Sequence, residues 1–195
     1  MSDRQSKTTD QAQRWVFLIG FPGVGKTTIG KILAGRLGAR FIDLDENLEK
    51  AMRKSITAVF REHGEKHFRS LERLQLMRLL SKGHGGVIAL GGGAFQSTQV
   101  RDLARQHATT VYLSCTLREL YRRIGDTKHR PLLLVRPRRG ETIRAASLRH
   151  MRELMVKRLQ NYRRADFTVS TTGKTVPQIV DEILNILGNT YDKHD

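Results

Sequence analysis

Gly20-Phe21-Pro22-Gly23-Val24-Gly25-Lys26-Thr27 fills every fixed position of the pattern G-x-x-x-x-G-K-[ST], and no other stretch limits the fold as strongly. A chain of this length should match by chance on the order of 0.01 times, so accident does not explain it. The flanks agree. Trp15-Val16-Phe17-Leu18-Ile19 is an apolar run of strand length directly before the first glycine. Behind the loop, Ile29, Ile32, Leu33 and Leu37 recur at helical spacing, and Gly38 stands where a C-cap belongs. Strand, glycine turn and helix form a cradle for phosphate groups. The glycines let the backbone come close, and amide N–H groups and the helix N-terminus face the negative charge. In such a cradle Lys26 reaches the β- and γ-phosphates, and the Thr27 hydroxyl ligates Mg²⁺. A ligand-free glycine turn would not require Lys and Thr after its last glycine.

With 195 residues the chain can build one domain with a substantial core. Hydrophobic residues at 38% and charged residues at 28% describe a soluble globular protein. No apolar run approaches the roughly 20 residues that cross a bilayer, and residues 1 to 13 lack the apolar segment of a secretory signal. Cys115, the single cysteine, excludes an internal disulfide. A cytoplasmic protein is expected. The net charge is +16, and residues 118 to 164 hold 15 Lys/Arg against 4 Asp/Glu, +11 of that total. Such a surplus fits a nucleic-acid surface or a site for small anions. Few aromatics are present for base stacking and no nucleic-acid motif is found, which favours the small anion.

In chain order, residues 1 to 13 read as a weakly ordered tail. Arg40 to Asp45 reads as a second strand. Asp43 and Asp45 would then share one side of it, beside the phosphate loop if strand two neighbours strand one. Ser55 caps a short helix toward Phe60, Gly64 interrupts it, and Glu65 to about Leu80 is a stronger helix. Val87 to Leu90 is a third strand, ended by Gly91-Gly92-Gly93. A helix over 98 to 106, a strand over Thr109 to Leu113 and a helix over Leu117 to Ile124 follow. Gly125 to Gly140 is a long loop and a candidate lid. Glu141 to Arg164 forms a basic helix, Phe167 to Val169 a fifth strand, and Pro177 to Leu187 a closing helix. Alternating strands and helices predict a parallel α/β sheet with ligands at its carboxyl edge. The phosphate loop, Asp43/Asp45 and the glycine triplet all follow strands there.

The remaining chemistry concerns what receives or recognises the nucleotide. No N-K-x-D element of a GTPase is found, and no apolar strand ends in Asp-Glu as in a motor ATPase. The strand instead ends in Gly91-Gly92-Gly93, which offers backbone N–H groups to a small polar ligand, or a hinge. Asp43 and Asp45 suit a metal and an acceptor hydroxyl; the alternative is a strand-to-helix turn with an N-capping aspartate. Arg69 and Glu72 share a helix face. They form either a surface ion pair of little worth or an arrangement in which Glu72 holds Arg69 to clamp a carboxylate. Arg130 could fold over transferring phosphates, and Arg158 could be a second clamp.

Taken together, Gly20 to Thr28, Asp43-x-Asp45, Gly64-Glu65-x-x-Phe68-Arg69-x-x-Glu72, Gly91-Gly92-Gly93, Arg130-Pro131-Leu132-Leu133 and Arg158-x-x-x-Tyr162 resemble shikimate kinase over about residues 14 to 187. The resemblance implies an α/β fold of the P-loop nucleoside-monophosphate-kinase type: a central five-stranded parallel sheet flanked by helices, with a lid loop over about 125–140. It implies one kinase domain over 14–188, a substrate-binding region over about 43–72, and tails over 1–13 and 189–195. The implied activity moves the γ-phosphoryl of ATP to the 3-hydroxyl of shikimate, in the pathway to chorismate and aromatic amino acids.

Matched position by position, Gly23, Val24, Gly25, Lys26, Thr27 and Thr28 would bind the nucleotide, with Arg123 near adenine. Thr27 and Asp43 would hold Mg²⁺. Lys26, Asp45 and Arg130 would be catalytic, with Asp45 as base on the shikimate hydroxyls and Arg130 closing on the phosphates. Arg69 and Arg158 would bind the shikimate carboxylate, and Gly91, Gly92 and Gly93 would give backbone contacts. A cytoplasmic monomer without nucleic-acid or membrane partners is expected. The alternatives are another small-metabolite kinase such as a gluconate kinase, or a non-catalytic nucleic-acid-binding or regulatory protein. The run Arg136-Pro137-Arg138-Arg139-Gly140 and the overall basicity depart from the family pattern.

Overall fold

The computed structural model describes residues 15–83, 85–124 and 137–191, with side chains to residue 189. The predicted tail over 1–13 and the lid from 125 to 136, with Arg130, lie outside the described residues.

Five strands form one parallel sheet: β1 (Trp15–Ile19), β2 (Phe41–Asp43), β3 (Gly86–Ala89), β4 (Ala108–Ser114) and β5 (Phe167–Ser170). Alternation along β1 explains how both faces are filled. Trp15, Phe17 and Ile19 enter one apolar layer beneath helices α2 (Leu44–Met52), α3 (Ile56–Ser81) and α4 (Thr98–His107). Val16 and Leu18 enter the other layer, beneath α1 (Lys26–Arg36), α5 (Leu117–Ile124) and α7 (Val176–Tyr191). The basic helix α6 (Ile143–Tyr162) contributes to both layers, Tyr162 to the first and Met151 to the second. Among the described residues no helix is long and apolar enough to cross a membrane.

The sheet order is β2-β3-β1-β4-β5. Strand two therefore does not neighbour strand one as expected, because β3 lies between them. Burial gives the reason. All four residues of β3 are buried, whereas β2 is only partly covered along its length, so β3 belongs inside and β2 at the edge. A second correction concerns 40–45: the strand ends at Asp43, and the chain turns at once into α2. Asp43 is the N-cap, accepting from the amides of Asp45 (3.1 Å) and Glu46 (3.4 Å). Asp45 thus sits in the first turn of a helix, and the shared strand face assumed for the two acids does not exist.

Ser55 caps α3 through the amide of Ala58, as expected. The predicted break at Gly64 is a kink inside α3, with φ 77° and ψ 173°. At the end of the chain α7 runs to Tyr191, so the predicted tail over 189–195 begins within a helix.

Two glycines of α1 meet different surroundings. A methyl on Gly35 would touch nothing, whereas one on Gly30 would collide with the Phe41 ring, 2.9 Å from its Cδ2. Gly35→Ala should raise stability by about 0.5–1 kcal/mol through helix propensity. Gly30→Ala should lower it, because overpacking costs about 1–3 kcal/mol and exceeds the propensity gain. Thermal unfolding of the two variants checks this; a rise in both would contradict the packing of α1 on β2.

Candidate active site

The phosphate loop is built by apolar anchors and strained turns together. Phe21 and Val24, at variable positions of the pattern, are buried in the layer beneath α1 and α7 and pin the loop. Gly23 and Gly25 have φ of 86° and 105°, a region that side chains resist. Gly25 is the N-cap of α1, with no side-chain cap hydrogen bond and no acid in the first turn among the described residues. Lys26 Nζ donates to the carbonyls of Gly20 (3.0 Å) and Phe21 (3.3 Å), which folds the ammonium over the loop. The Thr27 hydroxyl donates to Asp43 Oδ2 at 2.7 Å. Thr28 stands exposed beside it in the same turn.

A second cluster gathers on the glycine triplet after β3. Each glycine leaves room that another element fills. A methyl on Gly91 would lie 2.5 Å from Asp45 Oδ1 and 2.8 Å from Glu72 Oε1. On Gly92 it would lie 2.8 Å from Pro22 and 3.3 Å from Arg158 Nη1, and on Gly93 2.7 Å from Arg69 Cζ. Asp45 from α2, Arg69 and Glu72 from α3, Arg158 from α6 and the phosphate loop therefore press on three consecutive residues. Tyr162, one helical turn beyond Arg158, donates its hydroxyl to the Gly92 carbonyl and stacks on Tyr112 at 5.1 Å. Burial pushes that hydroxyl up to about 12, so it stays a donor. Gln96 joins the same region, accepting from Asn161 (2.8 Å) and donating to the Arg158 carbonyl (3.5 Å).

The charges are arranged in a partly dry setting. Glu72 is 1% exposed; its Oε2 accepts from Arg69 Nη1 at 2.8 Å, while its Oε1 has no hydrogen-bond partner among the described residues. Burial is the largest effect on Glu72 and lifts its carboxyl to about 7, against the lowering effect of Arg69. Burial, then the nearby Asp43, also raises Asp45, which Lys26 and Arg69 partly oppose. Arg69 is further held by Glu65 Oε1, at 3.2 Å from Nε and 3.0 Å from Nη2, and its guanidinium lies 5.2 Å from the Phe68 ring centroid. Of the two readings of Arg69 and Glu72, the solvated surface pair is therefore excluded.

Arg123 lies apart from this cluster. Its guanidinium donates to Val24 O (3.3 Å), Thr171 Oγ1 (3.1 Å) and Thr171 O (2.7 Å), and Glu119 accepts from Nε at 2.9 Å. It ties the phosphate loop to the turn after β5. The structure thus brings together Lys26, Thr27, Asp43, Asp45, Arg69, the triplet and Arg158, and places Arg123 on the far flank of the loop. Gln96 and Thr171 border the site with no signal in the sequence, whereas Pro22 lies inside the phosphate-loop pattern and Tyr162 stands four residues beyond Arg158.

Comparison with known proteins agrees with this fold. The family model described as shikimate kinase matches residues 22–188. A shikimate kinase of Geobacter metallireducens is 40% identical over 174 residues, 89% of this chain and 92% of that protein. The shikimate kinase of Acinetobacter baumannii, solved in complex with shikimate, superposes with a TM-score of 0.82 at 30% identity, covering 93% of this chain and 97% of that one. A gluconokinase of Sinorhizobium meliloti superposes with a TM-score of 0.59 at 18% identity over 94% and 99% of the two chains, a likeness of fold alone.

Because the folded protein keeps on Glu72 a proton that the unfolded chain releases near 4.5, stability should fall as pH rises from 4.5 to about 7. Glu72→Gln removes that group. The difference in unfolding free energy between variant and parent should shift toward the variant by on the order of 3 kcal/mol across this window. Urea titrations at the two ends measure it, and a difference independent of pH would contradict the burial of Glu72.

Proposed function

The chain belongs to the shikimate kinase family, and we propose that its cleft transfers the γ-phosphoryl group of ATP to the 3-hydroxyl of shikimate, releasing ADP and shikimate 3-phosphate. The observation that carries this reading is the convergence of the Asp45 and Glu72 carboxyl groups, two guanidinium groups and a bare stretch of backbone beside a phosphate loop. An acceptor that is both a carboxylate and a polyol matches it at both ends.

Each group then has a task. Amides at the start of α1 and Lys26 receive the phosphates. Val24 keeps the loop anchored, and Gly23, Gly25 and Thr28 border the same phosphates. Arg69, oriented by Glu72, and Arg158 bind the acceptor's carboxylate. Gly91, Gly92 and Gly93 let the sugar-like ring lie against the main chain, with the acceptor hydroxyl at Asp45. As the bond from the γ-phosphorus to the ADP oxygen breaks and a bond to the acceptor oxygen forms, the hydroxyl proton passes to Asp45. Its raised pKa makes it a better base than an exposed aspartate. Arg123 flanks the loop on the side assigned to adenine. Arg130, outside the described residues, is assigned to the transferred group.

Oxygen donors favour Mg²⁺ at this point: the Thr27 hydroxyl and an Asp43 carboxylate oxygen already lie 2.7 Å apart. Thr27 and Asp43 would hold the ion, which when bound neutralises charge on the phosphates. A monomer acting in the cytoplasm belongs to the same reading.

A coupled ADP-release assay across shikimate, gluconate and nucleoside monophosphates tests the assignment. ADP should appear with shikimate; none above background would overturn it. Arg69→Ala should raise the KM for shikimate roughly ten- to a hundredfold, matching the loss of one charge-assisted pair, or abolish turnover, while ADP affinity stays unchanged. Unaltered shikimate kinetics would remove Arg69 from the site.

A further inference from the structure

Thr171, the first residue after β5, is fully buried. Its amide and its hydroxyl both donate to the Ser114 carbonyl at the end of β4, at 2.8 and 3.1 Å. The same hydroxyl oxygen accepts from Arg123 Nη1 at 3.1 Å, and the Thr171 carbonyl accepts from Nη2 at 2.7 Å. Arg123 Nη1 also donates to the Val24 carbonyl at 3.3 Å, and Glu119, one turn earlier on α5, accepts from Nε at 2.9 Å. A single guanidinium thus joins the end of the sheet to the phosphate loop.

The sheet does not need this hydroxyl. The Thr171 amide already bonds to Ser114, and a valine would keep both that bond and the β-branched shape. What the hydroxyl adds is an acceptor for Arg123. With the Thr171 carbonyl on Nη2 and Glu119 on Nε, it fixes the planar fork in one orientation. Without it, Nη1 would keep only the longer bond to Val24. That bond matters to the loop because the peptide after Val24 is trans and planar. A Val24 carbonyl held toward Arg123 turns the Gly25 N–H to the opposite side of the loop. The loop's first glycine is seated on the same sheet end, since a methyl on Gly20 would lie 2.7 Å from the Leu113 carbonyl oxygen.

We propose that Thr171 is a positioning residue for nucleotide binding. Its hydroxyl orients Arg123, and Arg123 holds the Val24–Gly25 peptide so that the amide faces the phosphates. Being fully buried, Thr171 meets no ligand itself and acts only through Arg123. The proposal rests on the phosphate-loop part of the kinase reading and is independent of which acceptor is phosphorylated.

Calorimetric titration of the full chain with ADP, alongside shikimate kinetics, tests it. Thr171→Val should weaken ADP binding about tenfold, as for one hydrogen bond to a charged group. It should raise the KM for ATP in step and leave the KM for shikimate unchanged. Thr171→Ser, which keeps the hydroxyl and drops the methyl, should bind ADP as the parent does, whatever its melting temperature. In an Arg123→Met background, Thr171→Val should cost no further ADP affinity. Parental ADP affinity in Thr171→Val or in Arg123→Met, equal losses in the valine and serine variants, or additive losses in the double variant would each overturn the proposal. Hydroxyl-dependent ADP binding by a parent that leaves shikimate unphosphorylated would support it and overturn the kinase reading alone. A parent that does not bind ADP would overturn both.

Discussion

The cleft depends on how closely charged side chains approach one bare stretch of main chain, Gly91–Gly93. Asp45, Glu72, Arg158, Pro22 and Arg69 all occupy space that a β-carbon at one of these positions would claim. At Gly92 the neighbour is the stiff Pro22 ring, whereas at Gly91 and Gly93 a β-carbon would displace the ends of Asp45, Glu72 and Arg69, the groups that form the cleft. The triplet is also held from behind, because Tyr162 binds the Gly92 carbonyl and stacks on Tyr112 in the core. Four separate elements are therefore registered against one short segment, and that segment is registered against the sheet.

Electrostatics imposes the matching constraint. A carboxyl as buried as Glu72 is costly to ionise, and Arg69 offsets only part of that cost. What the pair supplies is direction: Glu65 and Glu72 hold the guanidinium to one side of the Phe60 and Phe68 rings, 6.0 and 5.2 Å from their centroids, so its orientation is set by α3 itself. The basicity of the chain is distributed differently. Arg122 and Arg123 share Glu119, whose carboxyl their hydrogen bonds hold down to about 2, and Arg149 shares Glu141. These arginines are thus paired locally, while the net charge of +16, counted after every acid, is unchanged by the pairing.

Legibility followed the range of the interactions. The phosphate loop and the Arg69–Glu72 spacing are local patterns, and their placement could be read from residue order. The parallel α/β class could be read from the alternation of elements. Strand order could not, because the placing of β3 between β1 and β2 rests on relative burial, which only the assembled sheet defines. Helix α2 was legible only as an alternative, the strand-to-helix turn with an N-capping aspartate that the structure has at Asp43. Two aspartates two apart imitate one face of a strand, whereas Leu44, Leu48 and Met52, spaced by four behind a capping Asp43, carried the helical signal. The contacts of Arg123, 99 residues from Val24 and 48 from Thr171, have no counterpart in local sequence.

Asp43 shows how one residue can be bound by two obligations. Its Oδ1 finishes the helix that carries Asp45, and its Oδ2 receives the Thr27 hydroxyl. Because the oxygens are divided between the tasks, a partner can be exchanged on one side without unmaking the other. Evolution, however, cannot tune them separately: a shorter, longer or neutral replacement alters the scaffold and the chemistry in the same step.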